Sequence, residues 1–220
     1  MKTVGMVTIG QSPRDDTVPE MEKVLGPAIR VVQAGALDGL GRAEIAALAP
    51  GPADDALVTR LGDGTQVVVA KRAILDRLQR CLDRLAPAVD AAAVLCTGTF
   101  PRFRCTRPVL EPDRILLATA QAIFSGGTLG VLSPLEEQRA KTAAQFRTVS
   151  ERQAIAVASP YADPGELVRA AEALRRAGAS LVVMNCMGYT QAMKALVRDV
   201  AAAPVLLPTS LLARVIAEVV

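Results

Sequence analysis

The sequence predicts an α/β protein built from two related halves, each with a parallel sheet covered by helices, with a cleft between them. Short apolar segments of strand type alternate with segments in which apolar residues recur at helical spacing. Two of the apolar segments, 91–100 (AAAVLCTGTF) and 180–190 (SLVVMNCMGYT), end at a cysteine that glycine and threonine follow. In both halves the cysteine comes after the same order of strand, helix, strand, helix and strand, so we interpret the chain as an ancient duplication.

The composition of the 220 residues excludes several classes of function. Apolar residues make up 51% of the chain, whereas aromatic residues make up only 3%, too few for surfaces that stack nucleic-acid bases. The net charge of +3 is small and basic residues alternate with acidic ones, so we expect no nucleic-acid partner. No apolar run approaches the roughly 20 residues of a membrane helix, and the start is too short for a signal peptide. We therefore expect no membrane contact and a cytoplasmic location.

The strongest local signals of the first half are a hairpin and a long amphipathic helix. A Gly-Asp-Gly turn at 62–64 separates two β-like runs, and apolar residues at helical spacing predict a helix over 71–85. Asp15 or Asp16 is expected to cap a helix that tolerates Pro19 in its first turn. The predicted strands are 4–9, 29–33, 56–61, 65–70 and 92–96, and the predicted helices are about 15–25, 42–48, 71–85 and 111–124, with an irregular basic segment at 100–108.

The second half repeats this order without the hairpin. Its predicted strands are 129–132, 155–158, 181–185 and 204–207, and its predicted helices are about 135–146, 164–177, 190–200 and 209–220. The first half is about 35 residues longer up to its cysteine, which matches an insertion at about 35–70 that contains the hairpin. We therefore predict an N-terminal half-domain over 1–115, completed by the last helix at 208–220, and a C-terminal half-domain over 116–207.

Cys96 and Cys186 are the candidate catalytic residues. The chain has no histidine, which excludes imidazole triads and imidazole metal ligands, and the cysteine spacing does not suit zinc, so we expect no metal site. A cysteine at a strand end, near a helix N-terminus, is favoured as a thiolate. One thiolate could remove a proton next to a carboxylate while the other thiol returns a proton to the opposite face. The alternative is that both are small core residues, as we expect for Cys81, while Cys105 lies in a basic loop close to Cys96.

Loops at the predicted strand ends offer groups that bind an anion. Arginine pairs a carboxylate through two hydrogen bonds, and hydroxyls and closely spaced backbone N–H groups of turns also donate to one. The alternative is ordinary turn chemistry, which explains the glycines equally well. A basic pair at 71–72 ends another strand, but such pairs are more often surface features. The candidate substrate-binding residues are Gly10, Gln11, Ser12, Arg14, Thr97, Gly98, Thr99, Ser133, Gly188, Tyr189 and Thr190.

Three motifs carry a resemblance to a known family: VTIGQSPR at 7–14, VLCTGTF at 94–100 and MNCMGYT at 184–190. Together with the doubled α/β layout, they make the chain resemble the AroM family, which is similar to the aspartate/glutamate/hydantoin racemase superfamily. The resemblance implies two flavodoxin-like half-domains and cofactor-independent movement of a proton at a carbon next to a carboxylate, or related isomerase or decarboxylase chemistry. It implies that Cys96 and Cys186 are the acid and base, and that substrate is bound by Ser12, Thr97, Thr99 and Thr190.

Two departures from the superfamily leave the substrate open. Its amino acid racemases have an aspartate in the first loop, where this chain has Gln11, and many have a histidine after the second cysteine, where this chain has Met187-Gly188. The resemblance therefore implies a small carboxylate substrate but argues against a true glutamate or aspartate racemase. The alternatives are a non-catalytic regulatory protein that binds a small carboxylate, and a decarboxylase or isomerase that uses a single cysteine. Apolar helix faces permit a homodimer.

Overall fold

The structure, a computed structural model, describes residues 1–220 and contains two four-stranded sheets and a separate hairpin. In chain order the strands are β1 (Lys2–Thr8), β2 (Ile29–Gly35), β3 (Ala56–Arg60), β4 (Gln66–Ala70), β5 (Ala91–Leu95), β6 (Val109–Leu110), β7 (Thr128–Ser133), β8 (Gln153–Val157), β9 (Ala179–Met184) and β10 (Val205–Leu206). Strands β3 and β4 pair only with each other and are antiparallel. The hairpin therefore forms no hydrogen-bonded ladder with either four-stranded sheet.

The two sheets have the same strand order. The first runs β2-β1-β5-β6 and the second runs β8-β7-β9-β10, and every neighbouring pair is parallel. In each sheet, the strand that leads to the cysteine lies next to the strand that begins that half, so the loops after these two strands leave the same sheet edge. The repeated order confirms the predicted α/β fold of two related halves with parallel sheets.

Eight α-helices join and cover the strands. They are α1 (Val18–Leu25), α2 (Arg42–Ala46), α3 (Lys71–Leu85), α4 (Pro112–Ile123), α5 (Arg139–Phe146), α6 (Pro164–Arg176), α7 (Gln191–Ala201) and α8 (Pro208–Val219). Helix α6 shows how local sequence sets the bounds: the Asp163 carboxylate accepts the Gly165 N–H at its start, and Gly178 follows its end with φ of 71°. No helix combines the length and the apolar character needed to cross a membrane.

Three elements differ from the prediction. Helix α1 begins at Val18 with Thr17 as its N-cap, so the predicted cap at Asp15 or Asp16 is wrong; the Asp16 carboxylate instead accepts hydrogen bonds from a neighbouring arginine. The helix predicted over 135–146 begins with a 3-10 turn at Glu136–Gln138 before α5. Strand β6 was not predicted, because two residues are too few to show a periodic pattern.

The second sheet is buried on both faces. Along β9, Leu181 and Val183 pack against α4 and against Phe146 of α5, while Val182 and Met184 pack against α6 and α7. Alternate residues of a strand point to opposite faces, so a strand covered on both sides must be apolar throughout. This explains why residues 181–184 of β9 form a continuous apolar run.

In the first sheet, one face packs against α3 and the hairpin. Val7 of β1 and Val94 of β5 share a cluster with Leu78 of α3 and with Leu57 and Val69 of the hairpin. Each of these apolar side chains, when fully buried, contributes about 1.5–3 kcal/mol. The hairpin is therefore held by side-chain burial, although it makes no ladder with the sheet.

The chain divides into two compact units. Unit 1 contains Met1–Pro112 together with Leu212–Val220, and unit 2 contains Asp113–Leu211. Unit 1 thus holds the first sheet, the hairpin and most of α8, whereas unit 2 holds the second sheet and nearly all of α4.

Candidate active site

The Cys96 loop begins where a fully buried strand ends. Every residue of β5 is buried, and Cys96 is the first residue after it. Its Sγ accepts a hydrogen bond from the Gly98 N–H at 3.3 Å. A Cβ at Gly98 would lie 3.0 Å from Cδ2 of Leu57, so the absence of a side chain lets the hairpin approach the loop closely. The thiol therefore has a backbone donor and an apolar side chain as neighbours.

Lys71 brings a positive charge to the same loop. It is the first residue of α3, its Nζ donates to the Thr99 carbonyl oxygen at 3.4 Å, and it forms an ion pair with Asp55. Only 21% of the lysine side chain is exposed. The sequence predicts this residue at a strand end but favours a surface position, because basic pairs are more often surface features.

The Cys186 loop repeats the arrangement in unit 2. Cys186 follows β9 by two residues and is 8% exposed. Its Sγ accepts the Gly188 N–H at 3.4 Å, the same contact that Cys96 makes with the glycine two residues ahead. Cys105 makes a comparable contact with the Arg107 N–H at 3.5 Å, so the contact alone does not mark a site. The two strand-end cysteines share this contact together with their place at the carboxyl end of a buried parallel strand.

The segments that come after the two cysteine loops differ. After Cys186, the Thr190 Oγ1 accepts the Met193 N–H at 3.2 Å and caps α7, whose N-terminus carries positive partial charge. After Cys96 the chain is irregular as far as β6, and the next helix is α4. A helix N-terminus that favours the thiolate therefore follows Cys186, but none follows Cys96 directly.

Of the two tyrosines in unit 2, Tyr189 has a structural role. It is 1% exposed, and its hydroxyl donates to the Ala158 carbonyl oxygen at 2.6 Å. Burial, and to a lesser extent the charges of Cys186 and Tyr161, raises the pKa of the Tyr189 phenol well above its usual value. Tyr161 is half-buried, and a Cβ at Gly188 would lie 2.7 Å from its Cζ. Tyr161 is thus the phenol that lies over the Cys186 loop, and the sequence analysis missed it.

Gln11 and Ser12 have partners within unit 1. The Gln11 Oε1 accepts the Gly62 N–H of the hairpin turn at 2.9 Å. The Ser12 N–H and hydroxyl both donate to the Asp38 carboxylate, at 2.7 and 2.6 Å. Asp38 also accepts the Gly35 N–H at 2.7 Å, so one carboxylate ties the loop after β1 to the loop after β2. The predicted contacts of Gln11 and Ser12 with substrate stay predictions.

Arg14 also has a carboxylate partner of its own. The guanidinium is 4% exposed, and its Nε and Nη2 donate to the two oxygens of Asp16 at 2.8 Å each. Its Nη1 donates to the Thr8 Oγ1 at 3.0 Å, at the end of β1. Burial raises the pKa of the Asp16 carboxyl, but the hydrogen bonds and charge of Arg14 outweigh it and hold the pKa below its usual value. The predicted pairing of Arg14 with a substrate carboxylate stays a prediction; the carboxylate that it binds here is Asp16.

The remaining candidates are small residues at the same two sheet edges. Thr97 is buried, whereas Thr99 is exposed. Ser133, at the end of β7, is 0% exposed, and its hydroxyl donates to the Leu135 carbonyl oxygen at 3.1 Å. Gly10 lies against the hairpin, because a Cβ there would meet the Thr59 hydroxyl.

Within each unit the structure brings the predicted loops to one sheet edge. In unit 1, Thr8 and Leu95 are paired at the ends of β1 and β5, so the 10–14 loop and the Cys96 loop begin side by side. In unit 2, Leu132 is paired with Met184, so the Ser133 and Cys186 loops also begin side by side. Asp38 and Tyr161 join these edges without having been predicted, and Lys71, for which a surface position was favoured, joins them too. Of the two residues that were not predicted, Tyr161 had a usable signal, since it follows Ser-Pro directly after a predicted strand.

Solved structures with low sequence identity share this fold. An unliganded arylmalonate decarboxylase has 15% identity and a TM-score of 0.61, with 99% of this chain and 92% of that chain covered. Allantoin racemase from Pseudomonas fluorescens has 16% identity and a TM-score of 0.59, with 98% and 89% covered. Glutamate racemase from Aquifex pyrophilus has 13% identity and a TM-score of 0.62, with 99% and 84% covered. At these identities the likeness establishes the fold.

No curated protein matches the sequence. The sequence model of one family, described as AroM protein, matches residues 4–220. That range begins near the start of β1 and includes the VTIGQSPR motif, both cysteine loops and the last helix. The chain therefore belongs to the AroM family.

Proposed function

We propose that this protein is a cofactor-independent enzyme of racemase or isomerase type, which moves a proton at a carbon next to a carboxylate. Cys96 and Cys186 are the proposed acid and base. The observation that carries the proposal is their matched setting: each thiol lies one or two residues after a buried parallel strand and accepts the N–H of a glycine two residues ahead. N–H donors favour the anionic form of such a sulfur.

The proposed reaction needs no group beyond the chain itself. A thiolate takes the proton from the carbon next to the carboxylate, and the electron pair of the C–H bond moves into the carboxylate to form an enediolate. The other thiol then gives its proton to the opposite face of that carbon. The extra negative charge of the enediolate must be offset by donors already in place, since the starting C–H bond is far less acidic than a thiol. Backbone N–H groups of the two cysteine loops and the Lys71 ammonium are the proposed donors.

The proposed substrate is a small carboxylate. The hydroxyls of Ser12, Thr97, Thr99 and Thr190 remain its proposed contacts. Arg14 and Gln11 also stay proposed contacts, and their partners in unit 1 hold the 10–14 loop in place. The names of the structural neighbours support this substrate class, since glutamate and an arylmalonate are carboxylates.

A decarboxylase that uses one cysteine is the second candidate. In that reaction a malonate-type substrate loses CO2, the resulting enediolate keeps the electron pair, and a single thiol supplies the proton. The unlike neighbours of the two thiols favour it: Leu57 lies against the Cys96 loop, whereas Tyr161 and the N-terminus of α7 lie at the Cys186 loop. The fold shared with arylmalonate decarboxylase is consistent with the same candidate.

The test is a screen of small carboxylates for exchange of the α-proton in heavy water, with phenylmalonate, glutamate and aspartate in the panel. Cys96→Ser and Cys186→Ser should both abolish exchange if two thiols act, and only one of them should do so if a single thiol acts. Cys105→Ser is the matched control, because this half-buried thiol lies in the irregular basic segment. Exchange retained in both strand-end variants contradicts the proposal. If small carboxylates raise the melting temperature by the same amount before and after treatment with iodoacetamide, that result would instead identify a non-catalytic binding protein.

A further inference from the structure

Tyr161 occupies the space that a side chain at position 188 would fill. A Cβ at Gly188 would lie 2.7 Å from the Tyr161 Cζ and 2.9 Å from Cγ of Pro160, and closer still to the phenol oxygen. The Gly188 N–H in turn donates to the Cys186 Sγ at 3.4 Å. The phenol hydroxyl therefore lies beside the peptide group that contacts the candidate catalytic sulfur.

The position of this phenol is set by its own loop. The Tyr161 N–H donates to the Ser159 Oγ at 3.2 Å, which closes a tight turn directly after β8. The Ala158 N–H donates to the Ser133 carbonyl oxygen at 3.1 Å, and the Ala158 carbonyl accepts the Tyr189 hydroxyl. The loop that carries Tyr161 is thus tied to both loops of the unit 2 sheet edge. A loop held in this way loses little backbone freedom when its side chain binds a ligand.

We propose that the Tyr161 hydroxyl donates a hydrogen bond to the carboxylate of a ligand bound beside Cys186, and that position 188 is glycine to make room for it. The inference rests on the proposed function, which places a small carboxylate at this loop. A neutral phenol is a good donor to a carboxylate, and the partial positive charge at the N-terminus of α7 favours an anion on the same side. The other phenol of the chain cannot serve, because Tyr189 is buried and its hydroxyl donates to Ala158.

Two alkylating reagents test this without knowledge of the substrate. Iodoacetate carries a carboxylate next to the reacting carbon, whereas iodoacetamide is its neutral counterpart of nearly equal size. The rate of alkylation of Cys186 by each reagent is measured in the intact protein by mass spectrometry of its peptides. We expect iodoacetate to be favoured over iodoacetamide at Cys186, relative to the same ratio for a free thiol. Tyr161→Phe should lower that preference about tenfold, as expected for the loss of one hydrogen bond to a charged group.

The controls separate carboxylate binding from a change of structure. The iodoacetamide rate at Cys186 should stay the same in Tyr161→Phe, which shows that access to the thiol is unchanged, and the reagent ratio at Cys96 should not move. Gly188→Ala, which displaces the phenol without removing it, should reduce the preference in the same direction. A preference that survives in Tyr161→Phe overturns the proposal, and so does a wild-type Cys186 that reacts with neither reagent or shows no preference. Alkylation requires no turnover, so a negative result here refutes the role of Tyr161 alone. The proposed function is tested separately, by proton exchange in the cysteine variants.

Discussion

Replacing Asp38 with asparagine should weaken unit 1 measurably, because one carboxylate accepts three hydrogen bonds there. Oδ2 accepts the Ser12 hydroxyl and the Gly35 N–H, and Oδ1 accepts the Ser12 N–H, all at 2.6–2.7 Å. Asparagine keeps the shape of the side chain but replaces one oxygen by an NH2 group. In its better orientation the NH2 group takes the place of Oδ1, so the Ser12 N–H loses its acceptor and faces another donor.

The size of the effect is set by the hydrogen bonds that the substitution removes. A hydrogen bond to a charged group contributes about 1.5–3 kcal/mol, and Asp38 is half-buried, so water replaces part of that contribution. We therefore expect the free energy of unfolding to fall by about 2 kcal/mol in Asp38→Asn. Asp38→Ala should cost more, since it leaves all three donors without this acceptor.

Urea denaturation at neutral pH, followed by circular dichroism, measures the difference. Asp15→Asn is the matched control, because this exposed aspartate lies in the neighbouring loop and should change stability by no more than about 0.5 kcal/mol. If Asp38→Asn unfolds within that same margin of the wild type, the carboxylate does not hold the two loops together. If Asp38→Ala lowers the free energy of unfolding no more than Asp38→Asn does, the misplaced NH2 group, and not the missing acceptor, causes the destabilisation.

Two further predictions concern buried polar groups. Tyr189→Phe removes the donor to the Ala158 carbonyl oxygen and should lower the free energy of unfolding by about 1–3 kcal/mol in urea denaturation; an unchanged midpoint would contradict the hydrogen bond. Asp16→Asn should destabilise the protein at pH 7 and progressively less as the pH falls below about 3.9, because the Asp16 carboxyl has its pKa lowered in the folded state. Its contribution is present above the unfolded pKa of about 3.9 and is lost as pH falls through the lower folded value, so the gap between variant and wild type should close in acid.

Elements with a strong local signal could be predicted from the sequence. The bounds of α3 follow from its apolar spacing, and the hairpin follows from its Gly-Asp-Gly turn. The positions of both cysteines at strand ends follow from apolar runs that stop beside them. In each case the physical cause, helical periodicity or turn geometry, acts over a few residues and can be recognised in one chain.

Contacts between distant segments could not be predicted in the same way. Gln11 accepts the Gly62 N–H of the hairpin turn, 51 residues further along the chain, and no local pattern indicates this contact. Ser12 meets Asp38 only because β1 and β2 are neighbours in the sheet. Such pairings depend on which strands lie side by side, and that order is decided by packing of the whole unit.

Unit 1 takes its residues from both ends of the chain. Leu212, Ala213 and Ile216 of α8 are 0% exposed, so this segment is part of a core. During translation residues 1–112 leave the ribosome long before residues 212–220 do, and unit 1 cannot be completed until the latter have been made. A deletion of residues 212–220 should therefore destabilise unit 1, most of which is synthesised first.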